Sequence, residues 1–107
     1  MNPFGGNMGG MMKQAKKMME DIQKIQESLT QERIDVSSGG GMVTATVTGD
    51  GELVSVKINP QVVDPEDVEM LEDLVTTAVR EATAKAKQSA AEKMQAVTGG
   101  VGIPGLF

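Results

Sequence analysis

Apolar residues recur along the first third of the chain at a helical period. Met11, Ala15, Met18, Ile22, Ile25 and Leu29 are spaced 4, 3, 4, 3 and 4 apart, which is one face of an α-helix. At 100° per residue, Lys13, Lys16, Lys17, Glu20 and Lys24 fall on the opposite face, and Lys16–Glu20, Lys17–Asp21 and Glu20–Lys24 have the spacing of ion pairs along a helix. The ten residues before it, MNPFGGNMGG, are rich in Gly and Asn and are expected to be a mobile segment.

From residue 33 the period becomes two. Ile34 and Val36 alternate with Arg33 and Asp35; Val43, Ala45 and Val47 alternate with Thr44, Thr46 and Thr48; Val54, Val56 and Ile58 alternate with Ser55 and Lys57. These are three strands, antiparallel because the links are short. SSGGG is expected to be a flexible connection, and GDGE a hairpin turn with two glycines available for positive φ. A second helix follows NPQVV. Asp64 suits its N-cap, Pro65 its first position, and Glu66 and Asp67 the positive end of its dipole.

Val68, Leu71, Val75, Ala78, Ala82 and Ala86 form the stripe of this second helix, which extends to about Val97, roughly 50 Å at the α-helical rise. Beyond Ala86 the stripe degrades, with Ser89 and Lys93 on its face. The first half therefore belongs on the sheet. The second half projects, or pairs thinly with another helix. The order helix, three strands, helix predicts an α+β fold of two layers, with one domain over residues 11–98 and a Gly-rich tail over 99–107.

Composition narrows the chemistry. The 107 residues include nine Met and two Phe, but no Trp, Tyr, Cys or His. The core must be Val, Ile, Leu, Met and Ala, and a core of small pieces gains buried area by pairing subunits. Disulfides and thiolate metal sites are excluded. The usual general base and the commonest transition-metal ligand are absent with His. An enzyme is therefore not expected, nor is a cofactor, a metal or a small-molecule substrate. No signal-like segment and no apolar run of about 18 residues are present, which points to the cytoplasm without a membrane partner.

Several motifs dissolve on inspection. Gly100–Gly105 spells GxGxxG, but no helix can follow it with Pro104 inside and two residues left. SSGGGMV lacks the GK[ST] ending of a phosphate loop. DPEDVEMLED lacks the glycine and closing glutamate of a calcium loop and reads as a solvated helix start. The basic first helix carries Met, Ala and Ile where a membrane-surface helix needs bulkier groups. Met12 and Met19 flank the stripe, where an adaptable side chain suits a partner subunit.

Charge changes the picture most. The net charge is −5, yet residues 1–19 hold three lysines and no acid. Residues 20–73 hold 3 basic and 13 acidic groups, and residues 74–107 hold 4 basic and 2 acidic ones. Both ends are basic and the middle is acidic. Two basic helix ends projecting on one side would attract phosphate backbones by Coulomb attraction and counterion release.

MMKQAKKM in the first helix, GGGMVTATVTGDGELVSVKINP across the hairpin, EMLEDLV and EKM in the second helix, and the GIPGLF tail stand in one order over about 100 residues. In this ordered set the chain resembles the YbaB/EbfC family of bacterial nucleoid-associated proteins. The resemblance implies a homodimer whose helices project like tweezers and grip double-stranded DNA with little or loose sequence preference. It also implies a place in the nucleoid and effects on nucleoid organisation and gene expression. Carried onto this chain, the DNA contacts fall on Lys13, Lys16 and Lys17 of the first helix and Lys85, Lys87 and Lys93 of the second. The alternative is an adaptor module that binds another protein with the same helices.

Overall fold

The computed structural model describes residues 3–98. Helix α1 spans Pro3–Gln31, strands β1, β2 and β3 span Arg33–Ser38, Val43–Thr48 and Leu53–Ile58, a 3-10 turn covers Pro60–Val62, and helix α2 spans Val68–Thr98. The expected tail over 99–107, with its GxGxxG string, lies outside the described residues. Both helices are about 45 Å long at 1.5 Å per residue, and the described residues measure 80 × 26 × 16 Å.

The α+β expectation holds. The sheet is antiparallel in the order β1-β2-β3. Pairing sets Ile34 opposite Val47, Val36 opposite Ala45 and Ser38 opposite Val43, so the alternating apolar residues of two strands share one face. On the other face the rungs are polar: Ser37 and Thr44 share a 2.8 Å hydrogen bond, and Thr46 donates to Asp35 at 2.6 Å. Helix α2 lies on the apolar face. Ala78, Ala82 and Ala86 are fully buried against Val43, Ala45 and Val47, because a methyl group every fourth residue lets the helix backbone approach the sheet closely.

The tie at the end of β1 differs from the expectation of a flexible link. Ser37 and Ser38 belong to the strand, and the buried Ser38 hydroxyl donates to the Leu74 carbonyl at 2.6 Å. Gly39 turns the chain at φ 62°, where a Cβ would also stand 2.8 Å from Leu74.

Three other expectations need correction. Helix α1 is already helical from Pro3, where irregular chain was expected to residue 10. The N-cap of α2 is Asp67, not Asp64, since Asp67 Oδ1 accepts the Met70 N–H at 3.2 Å. Asp64 instead opens a turn with Pro65 in its second position: its carbonyl accepts from Asp67 N and its carboxylate from Glu66 N. Both aspartates carry the same local signal. The turn that leads from the buried Val62 to the helix selects the later one.

The third correction concerns β3. Val54 and Ile58, expected inside, are 48% and 39% exposed. Ser55 pairs with Thr46 but Leu53 with Val47, so Val54 is an extra residue in a bulge. Helix α2 covers β1 and β2 and barely reaches β3.

Candidate nucleic-acid interface

The basic surface begins with how α1 leaves the sheet. Its stripe is buried at Leu29, half-buried at Ile25, Ile22 and Met18, and open at Ala15 and Met11. The inner half of α1 packs on α2, with Glu32 against Lys93, so of the two outcomes expected for the second half of α2, projection or thin pairing with another helix, this part pairs. The outer half has no such cover. Met11, Met12 and Met19 are 65%, 69% and 70% exposed there.

Lys13, Lys16 and Lys17 stand on this outer half and are exposed. The ion pairs suggested by i,i+4 spacing with Glu20 and Asp21 are not formed; among the described residues the only ion pair is Lys93–Glu32. Three free ammonium groups therefore lie within five residues, a rise of roughly 6 Å. Duplex DNA carries one phosphate charge per about 1.7 Å of its axis, so the spacing suits neighbouring phosphates.

The lysines of α2 do not join this cluster. From Glu32, where α1 meets the sheet, Lys17 is roughly 22 Å and Lys13 roughly 28 Å along the helix. Lys85 and Lys87 are exposed beside the sheet, next to the buried Ala86. Lys87 ends a shallow groove along α2 that also includes Val75, Val79 and Arg80. Arg80 was not singled out from sequence. Its spacing of seven from Lys87 places both on one face, a signal that was there to be read, whereas Lys85 lies about 140–160° round the helix from them. Lys93 is bound to Glu32 and is only half-exposed.

The acidic residues collect at the other end. Asp64, Glu66, Asp67, Glu69, Glu72 and Asp73 are all exposed around the start of α2. Leu74 is tied to the last residue of β1, whereas α1 departs from its first. The basic outer half of α1 thus points away from the acidic end, and charge segregated in sequence is segregated in space. Among the described residues no group of three or more acidic side chains is placed to hold a metal ion. No helix among them is long and apolar enough to cross a membrane.

Comparison with known proteins gives consistent matches. The profile of the YbaB/EbfC DNA-binding family matches residues 4–101. A nucleoid-associated protein of Thermoanaerobacter pseudethanolicus is 51% identical over 105 residues, covering 98% of this chain and 95% of the relative. One from Caldanaerobacter subterraneus subsp. tengcongensis is 52% identical over 105 residues with the same coverage. The crystal structure of an uncharacterized protein from Helicobacter pylori superposes with a TM-score of 0.62 at 23% identity, over 73% of this chain and 90% of that one, and supports the fold alone.

Proposed function

Because the chain belongs to the YbaB/EbfC DNA-binding family, we propose that it binds duplex DNA as a homodimer, with little or loose sequence preference, in the nucleoid of the cytoplasm. Its role there is architectural, organising the nucleoid and thereby affecting gene expression. One observation carries the reading: Lys13, Lys16 and Lys17 are exposed and unpaired on a helix segment that points away from the acidic end. Lysine is a flexible point charge without a planar fork, so it favours phosphate contact over base readout. Arg80 and Lys87, which share one face of α2, form a second contact region, and Lys85 stands apart on another face of that helix.

Binding should fall steeply as salt rises, by about 0.9 in the slope of log K against log salt per phosphate contacted, and equally for unrelated duplexes. Gel-shift titrations of two unrelated duplexes at several salt concentrations check this. The exposed methionines beside the lysines support a second reading, an adaptor for another protein. A salt-independent interaction, or none with DNA, would favour it.

The partner subunit belongs on β3. Leu53, Val54 and Ile58 are exposed on an edge strand that α2 leaves uncovered. A two-fold axis would pair this apolar surface with itself. Val54→Asp would place an unpaired charge in that interface but costs little in a lone subunit. Sedimentation is expected to show a dimer for the parent and a folded monomer for Val54→Asp at micromolar concentration. A parent monomer, or a dimeric variant, rejects this interface.

A further inference from the structure

Glu32 is the single residue between α1 and β1. Every polar group it offers is engaged. Its N–H donates to the Ser28 and Leu29 carbonyls at 3.0 and 3.2 Å, closing α1. Its carbonyl accepts from Gly49 N in the β2–β3 turn at 3.2 Å and from Arg33 Nη1 at 3.1 Å. Its carboxylate binds the Lys93 ammonium of α2. The same Gly49 N–H reaches the Leu29 carbonyl at 2.8 Å, and Arg33 Nη1 reaches the Thr30 carbonyl at 2.9 Å. The end of α1, the hairpin turn and the last third of α2 are thus tied at one residue.

We infer that the Glu32–Lys93 pair is a clamp that sets the direction in which α1 leaves the sheet, so that Lys93 acts in DNA binding as a positioning residue and not as a phosphate contact. The consequence for DNA rests on the function proposed above. The physical reason is leverage. A swing of about 10° at Glu32 moves Lys13, roughly 28 Å out along the helix, by about 5 Å, which exceeds the ~4 Å reach of an ion pair. Of the ties at this junction, the side-chain pair is the one that crosses to α2.

The two explanations of Lys93 differ in sign. If Lys93 contacts phosphate and Glu32 merely competes for it, removing Glu32 frees a lysine and deletes a negative charge, so DNA binds more tightly. If the pair is a clamp, losing either partner weakens binding. We expect Glu32→Ala and Lys93→Met each to weaken duplex binding by about three- to fivefold, the scale of an exposed ion pair. Lys93→Met should leave the salt slope unchanged, because no phosphate contact is lost.

The direction of α1 can be read without DNA. The chain contains no cysteine, so Gln14→Cys and Gln88→Cys, both at exposed sites, supply spin labels on α1 and α2. Labelled chain diluted in unlabelled chain should give one narrow distance distribution for the parent, and shifted or broader ones in either clamp variant. Unchanged distributions overturn the clamp, as does tighter duplex binding by Glu32→Ala or a salt slope lowered by about 0.9 in Lys93→Met. If the parent binds no duplex at all, the proposed function fails and the distances alone decide the clamp.

Discussion

Replacing Lys13, Lys16 and Lys17 together with glutamate is expected to lower duplex affinity by about a hundredfold or more at 0.1 M salt. Each neutralised phosphate adds about 0.9 to the salt slope, which is worth roughly eightfold at 0.1 M relative to 1 M, so the three contacts of one subunit approach 500-fold. The slope itself should fall by about 2.7 per subunit. The fold should survive, since all three lysines are exposed on the outer half of α1 and no ion pair holds them. In the variant, the glutamates that replace Lys16 and Lys17 would each lie one helical turn from an acid, Glu20 and Asp21. Each such like-charge pair costs about 0.2–0.5 kcal/mol. Parallel gel shifts and thermal melts check both halves. Unchanged affinity in a folded variant would move the contact surface off α1.

Gly49→Ala is expected to be among the most destabilising single methyl additions in this chain. Gly49 is buried where the hairpin turn meets the end of α1. A Cβ there would stand 2.9 Å from the Leu29 carbonyl oxygen, 2.8 Å from Glu32 Oε2 and 3.0 Å from Leu29 Cδ2. The glutamate can shift, but the carbonyl is backbone and accepts the Gly49 N–H at 2.8 Å. The turn must lift away or α1 must move. Overpacking of this kind costs about 1–3 kcal/mol, and each kcal/mol lowers the melting temperature of a domain this size by about 4–8 °C. Gly10→Ala is the contrast, since a Cβ there meets nothing within 4 Å and sits in a helix. Thermal denaturation followed by circular dichroism should separate the two. Equal melting temperatures for Gly49→Ala and the parent would show that the junction yields without cost.

The site was legible in part. Lys13, Lys16 and Lys17 could be placed on an exposed helix face because the stripe from Met11 to Leu29 is regular over five steps, and charge opposite such a stripe has to face solvent. Lys87 follows from the same rule, as Arg80 would have done, and Lys85 is exposed at the edge of the α2 stripe. Lys93 does not, because its partner is 61 residues away in the chain. An ion pair of that separation leaves no periodic trace, and i,i+4 spacing pointed instead to pairs on α1 that do not form.

By itself the sequence determined the fold class, the three strands with their inward residues on β1 and β2, and the alanine stripe that seats α2. These follow from periods of two and 3.6, which solvent imposes on any segment with one covered face. It also determined that the chain's two ends are basic and its middle acidic. The tertiary structure alone decided what depends on partners distant in sequence. It left β3 open despite its apolar alternation, because one helix is not wide enough to cover three strands. It made Gly49 a matter of space instead of dihedral freedom, because the end of α1 rests on the hairpin turn. It set the direction of α1, through Glu32, because a helix stripe specifies which face is covered but not the angle at which the helix leaves the sheet.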